Sequence, residues 1–162
     1  VRVHPSGVRG ELGERLIEFE ECAVSDSPNT GEPTTVLSDE ESWELLATEK
    51  VGRLVVVVDG YPEIYPVNYA VRDRKVYFRS AEGSKLAELT VYPQVAFQVD
   101  HIEANDAWSV VIHARAHILQ HFSDVQAVDA LGLTPWVPDS KFNYVELIAS
   151  ETAGRRFSLV EH

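Results

Sequence analysis

Residues 51–71, "VGRLVVVVDGYPEIYPVNYAV", decide the fold. Two runs rich in β-branched and aromatic residues flank Asp59-Gly60, a dipeptide suited to a two-residue hairpin turn. An antiparallel hairpin is therefore predicted here. "KVYFRS" (75–80) follows as a third strand after an Asp73-Arg74 turn, "QVAFQVD" (94–100) is a fourth, and "WSVVIHARAHIL" (108–119) is a long fifth. "FNYVELIASE" (142–151) reads as a sixth strand and "GRRFSLV" (154–160) as a seventh.

Helical signals are few. Residues 38–50 open with Ser38 in the N-cap position and Glu41 three residues on, the capping-box spacing, while Trp43, Leu45, Leu46 and Val51 supply an apolar face. Residues 84–91 form a short helical segment, and 122–131 another with Ser123 at its N-cap. Many strands joined by short turns predict a closed or nearly closed antiparallel barrel. A doubly wound sheet would need a helix after nearly every strand.

The chain has 162 residues, enough for one domain with a single core. Its net charge of -12 argues against a protein that neutralises nucleic-acid phosphates or anchors to anionic lipid. The longest aliphatic run, residues 54–58, is far too short to span a bilayer. Cys22 is the only cysteine, so no internal disulfide can form, which fits the cytoplasm as the expected compartment. Residues 1–36 read as an acidic arm ending in the linker-like "SDSPNTGEPTT", and residues 37–162 as the folded domain. Residues 1–41 alone contribute -7 to the charge, so a local basic site in the body stands out.

One such site is "YFRSAEGSKL", residues 77–86. Arg79 and Ser80 end a strand, Gly83 permits an unusual turn, and Ser84 and Lys85 begin a helix. A helix N-terminus presents free N–H groups and a partial positive charge. Lys85 adds a point charge, Arg79 a bidentate fork, and the serines can donate further bonds. The segment is read as a phosphate-binding corner, against the alternative of a capped helix with two solvated cations. In "YPVNYAV", Pro66 removes a backbone donor and so belongs at an edge or bulge, and Asn68 offers amide groups to a flat heterocycle. Trp108 can stack on a ring or fill the core; Ser109 points to the opposite face of the same strand. His113 and His117 are four apart on a strand, roughly 13 Å, too far to share one ion, so no metal site is expected.

Taken in order, "GRLVVVVDGYPEIYPVNY", "VYFRSAEGSKL", "VAFQVD", "WSVVIHARA" and "GRRF" resemble the pyridoxamine 5'-phosphate oxidase-like superfamily over residues 37–157. The resemblance is to its short bacterial, often actinobacterial, FMN-binding branch, which includes nitroimidazole-resistance-like proteins. It implies a mainly β chain with a few helices, folded as a six-stranded antiparallel split β-barrel that forms a homodimer. It also implies FMN, or in related branches a deazaflavin, held at the dimer interface. By position, Pro66, Val67, Asn68 and Tyr69 would run beside the flavin ring. Arg79, Ser80, Gly83, Ser84 and Lys85 would hold the phosphate, and Trp108 and Ser109 would approach the ring from the other subunit. Arg155 and Arg156 match a terminal basic pair near the cleft. Ala107 and Ala114 stand where the family usually has glycine, and Gln98 where many members have Glu. The arginine and histidine set with which true pyridoxamine-phosphate oxidases grip substrate is not recognisable. The expected function is an FMN-dependent oxidoreductase acting on a small molecule, with no catalytic residue assigned. The alternatives are a deazaflavin-dependent reductase on the same fold and a non-enzymatic flavin-binding or sensing module.

Overall fold

The computed structural model describes residues 34–81, 83–133 and 142–158. The first strand, β1 (Thr34–Leu37), runs antiparallel to the last, β7 (Phe142–Ser158), with Val36 opposite Arg155. Residues 34–36, which composition assigned to the arm, thus belong to the sheet. The rest of the expected arm lies outside the described residues.

Helix α1 (Asp39–Leu46) begins with the predicted capping box. The Ser38 hydroxyl accepts from the Glu41 amide at 3.2 Å, and the Glu41 carboxylate accepts from the Ser38 amide at 2.8 Å. The helix stops at Leu46, four residues before the predicted end, because the chain must turn into β2 (Val51–Val58). The Lys50 carbonyl already accepts from the Tyr69 amide, and Val51 pairs with Asn68.

The hairpin forms as predicted. Strand β2 and β3 (Tyr61–Arg72) flank Asp59 and Gly60, whose φ values are 50° and 85°. The next turn, into β4 (Lys75–Ala81), repeats the geometry with Asp73 at 51° and Arg74 at 55°. Positive φ at both central residues gives the turn the same hand as the strand twist, so each hairpin closes without splaying. Helix α2 (Ser84–Val91), β5 (Gln94–Ile102), β6 (Asp106–Ile118) and α3 (Phe122–Asp129) follow. His121, not Ser123, occupies the N-cap of α3; Ser123 lies inside the helix beside Asp124.

The sixth and seventh predicted strands are one strand, β7, seventeen residues long. Its register against β6 shifts at His113/Ala114, where a local irregularity bends it without ending it. Because β7 pairs with both β4 and β6, the order β7-β4-β3-β2-β5-β6 closes on itself. Six strands make the ring and β1 lies outside it on β7. Alternate residues fill the interior: Leu54 and Val56 from β2, Val76 and Phe78 from β4, Phe97 and Val99 from β5, Ile112 from β6 and Leu147 from β7. Each such side chain contributes about 1.5–3 kcal/mol by leaving water. Among the described residues no helix is long and apolar enough to cross a membrane.

The ring is uneven. The ladder between β3 and β4 ends at Tyr69–Phe78, so residues 61–68 of β3 pair with β2 alone and residues 79–81 of β4 with β7 alone. Pro66 lies on this open edge. The Tyr69 amide points to β2, so the two-residue alternation directs position 66 to the side that β4 has left. The proline is tolerated for the reason the sequence suggests.

A tight contact inside the ring gives a stability test. A Cβ added at Gly52 would stand 2.2 Å from the ring of Phe97, which is fully buried and edge-on to Tyr69. Gly52→Ala is expected to lower unfolding stability by about 1–3 kcal/mol through overpacking, read from the midpoint of urea denaturation. An unchanged midpoint would show that Phe97 moves freely.

Candidate functional site

The open edge between β3 and β4 gathers the predicted residues. On β3, alternation divides them: Val67 and Tyr69 face the interior, while Pro66 and Asn68 face outward. Tyr69 is engaged there, donating to the Leu46 carbonyl at 2.5 Å, and burial pushes its pKa up. Outward contacts by Val67 and Tyr69 are therefore limited to their main chain.

The β4–α2 turn carries both predicted cations, each against an aromatic ring. The Arg79 guanidinium lies 3.3 Å from the Phe142 ring centre and 5.9 Å from that of Tyr144. Its Nη1 donates to the Leu133 carbonyl at 3.4 Å, but its Nε is buried with no hydrogen-bond partner among the described residues. Lys85 lies 5.0 Å over the Tyr65 ring, and no described residue accepts a hydrogen bond from it. Burial lowers the Lys85 pKa, and the Glu88 carboxylate partly restores it. The Tyr65 hydroxyl donates to that same Glu88 at 2.7 Å, tying α2 to the inner face of β3. The two cations flank the end of β4 without meeting. Ser80 is buried and turns inward, its hydroxyl on the Ala81 carbonyl at 3.3 Å. Gly83 is the N-cap of α2 and its carbonyl accepts from Ala87, with Ser84 as the first helical residue.

A guanidinium nitrogen and an ammonium that find no acceptor among the described residues are chemically suited to an anion. An anion such as a phosphate would offer acceptors of the kind that neither donor finds among the described residues.

Trp108 and Ser109 sit elsewhere. Trp108 is buried, its ring 6.2 Å from and nearly parallel to His101, so it fills the core in this chain. Ser109 faces outward on β6, opposite Asp100 and Arg155. Three strand spacings separate β6 from β3 around this wall, roughly 14 Å. Arg156 lies 3.6 Å from Asp106. His113 and His117 occupy one strand, as expected, opposite Glu151 and Glu146.

Two features escaped sequence reading. Arg53 donates to Gln98 at 3.0 Å and to Asp100 at 2.5 Å, and the Gln98 amide reaches Asp100 at 2.7 Å and Ser109 at 3.4 Å. This network crosses β2, β5 and β6 and depends on register. The second is Glu146, which is buried and accepts from Lys75 at 2.7 Å and from the Tyr77 hydroxyl at 2.9 Å. Burial and Glu146 push Tyr77 up to about 12, so it remains a donor at neutral pH. A lone acid within the apolar run "YVELIA" was the available signal.

Comparison with known proteins places this geometry. A Corynebacterium glutamicum protein described as a candidate pyridoxamine 5'-phosphate oxidase is 34% identical, with a TM-score of 0.73 over 82% of this chain and all of that one. A FAD-binding protein from Mycobacterium smegmatis is 32% identical, with a TM-score of 0.69 over 78% of this chain and all of that one. A FAD-binding protein from Mesorhizobium loti is 26% identical, with a TM-score of 0.71 over 78% of this chain and 98% of that one. Residues 38–158, from the capping serine of α1 to the end of β7, match the pyridoxamine 5'-phosphate oxidase family. With the six-stranded ring and its open edge, that match makes the chain a member of this family.

Proposed function

We propose that this protein binds a flavin at the open edge between β3 and β4 and acts as an FMN-dependent oxidoreductase on a small molecule. The observation that carries this reading is a pair of donors at the β4–α2 turn, Arg79 Nε and Lys85 Nζ, for which no described residue supplies an acceptor. They suit a flavin phosphate, with Asn68 on the outward side of the same edge of β3, where a ring would lie. The FAD-binding relatives at 32% and 26% identity support a flavin in general. They also favour a second reading, in which FAD is the cofactor and its longer tail runs past the same turn. Bound flavin supplies hydride transfer, and the protein's part is to hold and orient it.

A homodimer belongs to the proposal. The outer face of β2 and β3 exposes Val51, Val57 and Ile64, the last 61% exposed, beside Pro62 and Pro66. An apolar face of this kind suits burial against a second copy. The wide separation of Ser109 from β3 within one chain supports a cleft completed by the partner's β6.

Titration of the flavin-free protein with FMN, FAD and a deazaflavin tests the cofactor. FMN or FAD is expected to bind, and Arg79→Ala combined with Lys85→Ala to weaken it by about tenfold or more, since charge-assisted bonds are lost. Equal affinity in the double variant would remove the phosphate assignment, and preference for the deazaflavin would replace the cofactor.

The dimer has its own test. Ile64→Glu places a charge on the proposed interface and is expected to give a monomer by light scattering with weakened flavin binding. A wild-type protein that is monomeric with flavin bound would overturn the shared cleft.

A further inference from the structure

A cavity of about 670 Å³ lies beside α3, against β4, β7 and β6, and reaches the β3–β4 turn and the end of α2 at Leu89, Thr90 and Pro93. That volume is in the range of small-molecule sites. The flavin reading does not use it. It lies on the same face of β4 as Arg79, toward the start of the strand: Lys75 and Tyr77, which line it, are four and two residues from Arg79, roughly 13 and 7 Å along the strand. Tyr77, Val128 and Tyr144 pack together on this face, and Tyr144 stands opposite Arg79 in the sheet.

The cavity's charges are unevenly matched. Its buried acid, Glu146, already accepts from Lys75 and Tyr77, and Asp73 lies 3.4 Å from Arg72. Asp124 is the remaining carboxylate on the wall. Against these, the side chains of Arg115, His117 and His121 make no hydrogen bond or ion pair with any described residue. Arg115 and His117 project from the same outward face of β6, opposite Ile148 and Glu146. The rest of the lining includes Ile118, Leu119 and Val128. A guanidinium with no partner among the described residues, sharing the cavity with two imidazoles on a wall otherwise partly apolar, recognises one kind of molecule.

We infer that this cavity is a second small-molecule site, which takes a small organic anion with an apolar body. The carboxylate, phosphate or sulfonate of such a ligand lies on Arg115, and its hydrocarbon part lies against Leu119 and Val128. Apolar burial supplies affinity while the arginine fixes orientation.

Calorimetric titration with 1-anilinonaphthalene-8-sulfonate, an anionic aromatic probe, tests this on the full chain. One molecule per chain is expected to bind whether or not the protein has been saturated with FMN. Arg115→Ala, at an exposed position, is expected to weaken the probe by about tenfold or more, as loss of a charge-assisted contact does. Ala127→Trp, on the cavity-facing side of α3, is expected to abolish binding by filling the space. Both variants should keep the wild-type circular dichroism spectrum. Equal probe affinity in both variants, absence of binding to wild type, or displacement by FMN would each overturn the assignment. Displacement would mean that the probe reports the flavin cleft, and failure to bind any flavin would leave this result standing by itself.

Discussion

The rung between Tyr69 and Phe78 is the last that joins β3 to β4, and the candidate site exists because the ladder stops there. Both residues are held by the core: Phe78 is fully buried, and Tyr69 is wedged against Phe97 with its hydroxyl on the end of α1. Past that point β4 follows β7 and β3 follows β2. The gap cannot stay open to water on its inner side, because Tyr65 and Val67 would be exposed. Helix α2 covers it, with Leu89 in the core and Glu88 on Tyr65. The same divergence frees the strand edge at Pro66 and places the start of α2, with Lys85, just past the end of β4 that carries Arg79.

Most charge pairs in the domain are exposed and contribute little; Arg74–Asp39 and Arg156–Asp106 are of this kind. The buried carboxylate of Glu146 differs. It is tolerated because Lys75 and Tyr77 both donate to it, and removing either donor would leave a poorly compensated charge under α3. This cluster links the outer face of β4 to that of β7, and both Arg79 with its aromatic partners and the cavity beside α3 lie on that wall.

The legible part of the structure was local. Asp59-Gly60 announced the first hairpin because few other dipeptides suit positive φ at both positions, a polar pair between two strand-like runs marked the turn at Asp73-Arg74, and Ser38 with Glu41 announced α1 by their spacing. The order of strands then pointed to a barrel. The break placed between residues 151 and 154 did not exist. Gly154 reads as a turn signal, yet it sits inside β7 because Ser42 and Leu37 approach so closely that a Cβ would collide with them. Similarly, Ser123 is a good N-cap by type, but His121 takes the position where β6 leaves the sheet.

By itself the sequence determined most of the strands, the two hairpin turns and which residues could meet a phosphate, since turn chemistry, period and charge are properties of neighbours along the chain. Tertiary structure decided what those residues face. Alternation along β3 turned Val67 and Tyr69 inward and left Pro66 and Asn68 outside, and Trp108 went to the core while Ser109 went to the outer wall. Arg79 met Phe142, sixty-three positions away, through the pairing of β4 with β7. Arg53, Gln98 and Asp100 became one network only in register. Such encounters follow from ring closure, in which β6 and β7 must find each other across the length of α3, and no local pattern encodes that distance.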